Sequence, residues 1–331
     1  MLDLPALAAK VDPALVDINT QLSQPNVQAA GTGVVLDPSG VVLTNNHVIS
    51  GASSINVTDI GNGQTYPATV VGYDRAHDVA VLQLAGASGL PTATIGDSGT
   101  VSISDQVVAI GNAGGRGGTP SIVAGVVSAL DQAAAVSDDL TGSVEHLAGL
   151  IQVAADIQPG DSGGPLVNAT GEVIGINTAG TAGPQAGQSP AAGLAIPIND
   201  AIVISNQIRA GSAGATIHLG VTGVLGILVQ QAGATTSPGR HARLEHRHLP
   251  AVPTVPGVVV TQVVAGSPAE QAGLTAGSVI ESLDGTAVDS PGSLVTALTA
   301  HQPGDSVHVG WVDPSGQQHS ATVTLTPGPP N

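Results

Sequence analysis

From Gln158 to Pro165 the chain reads Gln-Pro-Gly-Asp-Ser-Gly-Gly-Pro, and no helix interior or regular strand can hold that run. Proline removes a backbone donor and fixes φ, while glycine permits left-handed and closely packed backbone. Glycine at 160, 163 and 164 therefore marks a tight turn whose backbone approaches another surface, with Ser162 at its centre. Across Gly160, Asp161 and Ser162 such a turn can aim N–H groups at one point, where the oxygen of an attacked carbonyl collects negative charge. A turn of this kind needs a rigid scaffold, and the rest of the sequence supplies strands. Short β-branched runs at 33–36, 41–44, 54–57, 68–73, 79–84 and 107–110 are punctuated by Asp37-Pro38-Ser39-Gly40 and Gly61-Asn62-Gly63. Further strands are expected at 122–128, 150–154, 165–167, 173–178 and 194–197, followed by a helix over 199–210.

A serine hydroxyl attacks a carbonyl only when a base removes its proton. In a chain with 45 glycines the bland reading of 158–165 is a surface turn. The sharper reading needs a histidine and a carboxylate upstream, and both are present. His47 lies in Thr44-Asn45-Asn46-His47-Val48, which follows the alternating strand Gly33-Val34-Val35-Leu36, and Asp78 opens the strand at 79–84. The order His47, Asp78, Ser162 is the chymotrypsin-type order of a serine triad.

On these residues the chain resembles the HtrA (DegP-like) serine proteases, and its layout is similar to the secreted actinobacterial forms. The words that carry the resemblance are Thr44-Asn45-Asn46-His47-Val48, Asp78-Val79-Ala80-Val81-Leu82, Gly160-Asp161-Ser162-Gly163-Gly164-Pro165, Gly175-Ile176-Asn177-Thr178 and Leu194-Ala195-Ile196-Pro197. The resemblance implies a mainly β protein: a chymotrypsin-like pair of six-stranded antiparallel β-barrels followed by an α+β PDZ domain. It implies a serine endopeptidase cleaving unfolded or damaged polypeptides, with no cofactor, or alternatively a polypeptide-binding chaperone or scaffold with latent proteolysis. It also implies a secreted or cell-envelope location and a homotrimer, although the aromatic residues that lock such trimers are missing from the first 22 residues here. The substrate pocket implied by the same matches consists of Asp156, Ile157, Thr178, Ala179 and Gly180. Ile157, Ala179 and Gly180 favour an aliphatic side chain before the cleaved bond. Asp156 stands six residues before Ser162, where trypsin-like enzymes place the acid that selects Arg and Lys, so a basic preference stays open. The HtrA pattern carries its acid at the position of Ala154.

Composition sharpens the exclusions. The formal net charge of −17 disfavours nucleic acid and anionic membranes as partners. Without cysteine there is no disulfide, thiol catalysis or Cys-based zinc site. No apolar run is long enough to span a membrane, and Met1-Leu2-Asp3-Leu4-Pro5 lacks the pattern of a signal peptide, as expected of a mature form. With no Phe, one Trp and two Tyr, the cores must be built from Val, Ile, Leu and Ala.

The expected domains are an N-terminal arm at 1–12, the protease domain at 13–211, a linker at 212–222, the PDZ domain at 223–326 and a tail at 327–331. Helical spacing of Leu15, Ile18 and Leu22 predicts a short helix over 13–22. The glycine-rich loop at 111–118 lacks the Gly-Lys-Ser/Thr of a phosphate cradle and reads as a connection between barrels. In the PDZ region, Val224-Leu225-Gly226-Ile227 resembles the loop that captures a C-terminal carboxylate, with His218-Leu219-Gly220-Val221 as a second candidate. Leu294 and Leu298 would line the groove from one face of a helix over 293–300. Free peptide C-termini are the expected partners there. A long insertion at 230–256 holds Arg240-His241-Ala242-Arg243-Leu244-Glu245-His246-Arg247-His248; it reads as a basic loop, since no second cluster completes a metal site.

Overall fold

The computed structural model describes residues 2–22, 27–137, 144–178, 193–214, 216–231 and 256–330. Its two units are Met1–Gly220 with Pro329–Asn331, and Val221–Gly328. In the first unit, β1 (Leu15–Leu22), β2 (Gln28–Asp37), β3 (Val41–Thr44), β4 (Ala52–Asp59), β5 (Thr65–Asp74) and β6 (Val79–Leu84) pair antiparallel. Their order is β5-β4-β1-β2-β3-β6, and β6 closes back on β5. A second closed barrel runs β10-β11-β12-β9-β8-β7. It is made of β7 (Gln106–Gly111), β8 (Ser121–Ser137), β9 (Val144–Val153), β10 (Pro165–Asn168), β11 (Val173–Thr178) and β12 (Gly193–Pro197). These are the two six-stranded barrels expected from the resemblance.

The near-continuous apolar runs follow from two-sided burial. Successive strand residues point to opposite faces. Val16, Ile18, Val35, Val42, Ala80 and Leu82 fill one cluster, while Leu15, Val34, Leu43, Val79 and Val81 enter another. In the second barrel Val107, Ala109 and Leu166 fill a third cluster. Their neighbours Val108, Ile110 and Val167 join Leu15, Val34 and Leu43. One strand face therefore fills each barrel and the other packs barrel on barrel, so the strands cannot alternate apolar with polar.

That packing overrides the helical spacing at 13–22. Leu15–Leu22 is a strand pairing with both β2 and β4, and the helix lies earlier, as α1 (Leu4–Val11). Asp3 caps α1 by accepting from Ala6 N–H, and Leu7 and Val11 pack against Gly171. The expected arm is thus an ordered helix. A short α2 (Asn46–Ile49) follows β3, and α3 (Ile198–Arg209) closes the second barrel with Ile198, Ala201, Ile204 and Ile208 inward. The expected linker contains β13 (Ile217–Leu219), which pairs with β5, so His218, Leu219 and Gly220 of the second candidate for a carboxylate loop belong to the first unit.

In the second unit β14 (Gly223–Val224) pairs with β21 (Thr326–Pro327). A separate sheet runs from β15 (Ile227–Gln231) through β16 (Val258–Val263), β17 (Val279–Leu283) and β19 (Ser306–Val312) to β20 (Gln318–Thr324), with β18 (Thr286–Ala287) on β17. α4 (Pro268–Ala272) starts at a Ser267 cap and stops at Gly273, whose φ is 91°. α5 (Pro291–Thr299) starts at a capping box of Ser290 and Ser293. Leu225, Val260, Leu283, Leu294, Val309 and Trp311 share its core. No helix among the described residues is long and apolar enough to cross a membrane. Residues 232–255, with the His/Arg-rich segment, lie outside the described residues.

Leu82 is fully buried inside the first barrel whereas Val203 is 57% exposed on α3. Leu82→Ala is expected to lower unfolding free energy by about 2–5 kcal/mol, and Val203→Ala by less than about 0.5 kcal/mol, in urea titrations.

Candidate active site

β3 delivers His47 and the β5–β6 turn delivers Asp78. Asp78 sits in the left-handed region at φ 54°, a conformation that Asp tolerates better than most residues. This turn folds its carboxylate back under α2. Oδ1 accepts the His47 backbone N–H at 2.9 Å, and Oδ2 lies 2.8 Å from His47 Nδ1. An ionised carboxylate can only accept, so Nδ1 carries the proton and Nε2 is left as the basic nitrogen. Thr178 Oγ1 donates to the same Oδ2 at 3.1 Å, and Asn45 Nδ2 donates to the Asp78 carbonyl at 2.9 Å. The Asp78 side chain is fully buried while the His47 side chain keeps 22% exposure. Burial of a charge is tolerable here because donors surround it.

Ser162 lies in the turn between β9 and β10, and the turn is held from both barrels. Thr32 of β2 donates its N–H to the Ser162 carbonyl at 2.8 Å and its hydroxyl to the Gly160 carbonyl at 2.8 Å. Thr44 at the end of β3 donates to the Thr32 carbonyl at 2.7 Å. From the second barrel, Asn177 accepts from Gly163 N–H at 2.9 Å and donates its own N–H to the Gly164 carbonyl at 2.8 Å. Gly160 and Gly163 have φ of 100° and 82°. A Cβ at Gly160 would run into the Asn112 carbonyl, at Gly163 into the Thr32 carbonyl, and at Gly164 into the Ile110 carbonyl.

The structure alters two of the expected roles. Asp161 does not present its N–H to a substrate, because that group donates to the Gln158 carbonyl at 3.0 Å. Its carboxylate accepts from Gln158 N–H at 2.9 Å and from Ser121 Oγ at 2.8 Å, so Asp161 clamps the turn from beneath. Burial pushes its carboxyl above the usual range, those hydrogen bonds pull it back, and the Asp156 charge adds a smaller upward push. Thr178 is fully buried against Asp78 and supports the carboxylate, not a pocket wall. Of the other expected pocket residues, Ile157 folds inward against Gly193 of β12 and Asp156 is exposed. Ala179 and Gly180 lie outside the described residues. Thr32, Thr44 and Asn45 went unassigned in the sequence. Their signal was present, since Asn45 adjoins His47 and Thr32 stands between Gly31 and Gly33.

The second unit brings the expected groove residues together. Among the described residues β15 is an edge strand, bonded to β16 on one side, and α5 packs along it. Leu294 and Leu298 of α5 are buried in that unit's core, where Ile227 packs against the same cluster. Gly226, φ 76°, backs onto Ser267, and Leu225 is buried with its carbonyl accepting from Ala269 N–H. The loop 224–227 thus approaches the start of β15 through a left-handed glycine.

Two closed antiparallel barrels with a buried Asp–His pair and a glycine-bound serine turn, joined to a separate sheet-and-helix unit, define a trypsin-like serine peptidase fold with a PDZ domain. The sequence agrees: residues 31–176 match the trypsin-like peptidase domain and residues 223–324 match the PDZ domain. The chain belongs to the HtrA family of serine proteases. It is 34% identical to the serine protease Do-like HtrA of Lactococcus lactis, across 91% of this chain and 71% of that protein. It is 37% identical to the putative serine protease HhoA of a Synechocystis species, across 79% of this chain and 62% of that one. With the serine protease PepD of Mycobacterium tuberculosis the identity is 32%, across 96% of this chain and 65% of that one. The chain thus spans less than two thirds of the length of those last two relatives. Among solved structures, the HtrA-type protease AlgW with a tripeptide superposes at a TM-score of 0.52 with 29% identity, covering 98% of each chain.

Two glycines separate strain from collision. Gly89 has φ 68° in open space, whereas a side chain at Gly163 adds a collision with Thr32. Gly89→Ala is expected to cost about 1 kcal/mol and Gly163→Ala at least about 3 kcal/mol in chemical denaturation.

Proposed function

We propose that this chain is a serine endopeptidase acting on unfolded or damaged polypeptides, with Ser162 as nucleophile, His47 as base and then acid, and Asp78 as the group that orients His47. The observation that carries this reading is the 2.8 Å contact between His47 Nδ1 and the fully buried Asp78 carboxylate, which fixes Nε2 as the basic nitrogen. Ser162 Oγ attacks the peptide carbonyl carbon as its proton passes to His47 Nε2. The carbonyl oxygen becomes an oxyanion, for which the N–H groups of Gly160 and Ser162 are the proposed donors. Collapse expels the amine, which takes the proton from His47, and water then releases the acyl group by the same steps in reverse roles. No step calls for a cofactor.

A binding-only role leaves the Asp78–His47 pair without a task, so hydrolysis is the better reading. Ile157 turned inward and Asp156 in solvent favour an aliphatic side chain before the cleaved bond over a basic one. The edge of β15 beside α5 suits a peptide adding as a further strand, with its C-terminal carboxylate at 224–227. A secreted or envelope location accords with relatives such as the Escherichia coli protein named periplasmic pH-dependent serine endoprotease DegQ. Assembly into a homotrimer rests on the family resemblance alone, and sedimentation equilibrium reads it directly.

Ser162→Ala is expected to lower kcat on denatured casein by about 10⁶-fold with circular dichroism unchanged. Digestion at the wild-type rate by that variant overturns the mechanism. The same inactive full-length chain serves for the groove. Calorimetry with a peptide ending in an apolar residue should show the free acid binding at least about tenfold more tightly than its amide. Equal affinities rule out carboxylate capture.

A further inference from the structure

Asp17 is a buried carboxylate that the catalytic mechanism does not use. It lies on β1, is 3% exposed, and stands directly across the ladder from Thr32 of β2 and Thr58 of β4. Its Oδ2 accepts the Gly118 N–H at 3.2 Å, at the end of the glycine-rich loop that the sequence left as a mere connection. In that loop Gly114, Gly115, Gly117 and Gly118 have φ of 75°, 63°, 67° and 88°, with Arg116 right-handed between them. A right-handed residue followed by a left-handed one, as at Arg116 and Gly117, turns successive N–H groups to one side, as in anion-binding backbone nests. Here the acceptors are internal: Asn112 Oδ1 takes Gly117 N–H at 2.8 Å and Asp17 takes Gly118 N–H. The opposite end of the loop touches the serine turn, where Gly114 N–H donates to the Pro159 carbonyl at 2.7 Å. The Gly160 backbone packs against Asn112 and Gly115, leaving no room for a Cβ.

We infer that Asp17 is a positioning residue for catalysis: through Gly118 it sets the loop 111–118, which in turn holds Pro159 and Gly160 in the conformation that presents the Gly160 N–H. A second link runs through its ladder neighbour Thr32, whose hydroxyl bonds both the Gly160 carbonyl and the Asn112 N–H. Among the described residues no ion pair or hydrogen bond joins a charged side chain to Asp17; Thr32 and Thr58 face it across the ladder, and Gly117 and Gly118 lie at its carboxylate. Desolvation pushes its pKa up to about 6, against the lowering effect of the Gly118 hydrogen bond. The fold therefore keeps an ionisable group where a threonine or valine would be less costly to bury.

The inference rests on the reading of Ser162 as nucleophile, and the test separates the two. Full-length wild type, Asp17→Ala, Asp17→Asn and Ser162→Ala are compared on a peptide amide substrate and by hydrogen–deuterium exchange. Asp17→Ala is expected to lose about tenfold in kcat with KM within about twofold, because a misplaced donor weakens only the transition state. Asp17→Asn keeps an acceptor oxygen of the same shape and is expected to recover kcat to within about threefold of wild type. Exchange in segments 112–118 and 158–162 should quicken in the Ala variant and revert in the Asn variant, while the β-barrel strands stay protected. An Ala variant with wild-type kcat, or with no quickening in those two segments, overturns the role of Asp17. Hydrolysis by Ser162→Ala overturns the nucleophile assignment instead, and the exchange result then decides the loop coupling by itself.

Discussion

At the serine turn, backbone packs against backbone with no space for side chains. Three glycines there face carbonyl oxygens of Asn112, Thr32 and Ile110. Thr32 comes from the first barrel, and Ile110 and Asn112 come from the second at and just beyond β7. Residues far apart in sequence must therefore be in place before the turn can adopt its shape. Thr32 reaches Gly160 over 128 positions, and Thr178 reaches Asp78 over 100. Such long-range closure is costly in chain entropy and forms late in folding. The site is thus a product of barrel docking, not of any local segment.

That docking is made without aromatic bulk. A chain with one Trp, two Tyr and no Phe has to fill its interior with small branched residues. Valine and isoleucine suit a strand that is buried on both faces, since each fits the pleat and loses little rotamer freedom. The consequence is a seam in which Leu15, Val34, Leu43, Val108, Ile110 and Ile176 come from both barrels. The net charge of −17 acts at the surface, while these apolar faces determine the fold.

The fold and the candidate site residues were legible because each leaves a local mark. Strands at 41–44, 79–84 and 173–178 were readable to the residue from β-branched runs between turn formers. His47, Asp78 and Ser162 stand in short words of distinctive spacing. What stayed hidden depends on pairing across the chain. Leu15, Ile18 and Leu22 fit a helix as well as a strand, and only the neighbours β2 and β4 decide for the strand. Asp161 reads as part of the donor turn, yet Gln158 takes its N–H and Ser121 helps hold its carboxylate. Thr178 reads as a pocket residue until its hydroxyl is found on Asp78. No periodicity records such partners.

Three buried carboxylates, Asp78, Asp161 and, through the loop at 111–118, Asp17, are tied to the site in a chain that is already strongly acidic. Negative charge near a developing oxyanion opposes the reaction, so their arrangement matters. Each is bound to donors of the protein: Asp78 to His47 and Thr178, Asp161 to Gln158 and Ser121, Asp17 to Gly118. Removing the donors of any one of them strands a buried charge, which is far costlier than losing an exposed pair. The carboxylates thereby act as fixed points that specify where each loop must lie. Under the proposed mechanism Asp78, which accepts Nδ1–H, also stabilises the imidazolium formed at His47. Asp161 pins the Gln158 N–H within the turn, and Asp17 pins the Gly118 N–H at the far end of the loop that packs against it; under the proposed mechanism, rigidity there lets donors meet the oxyanion without reorganising.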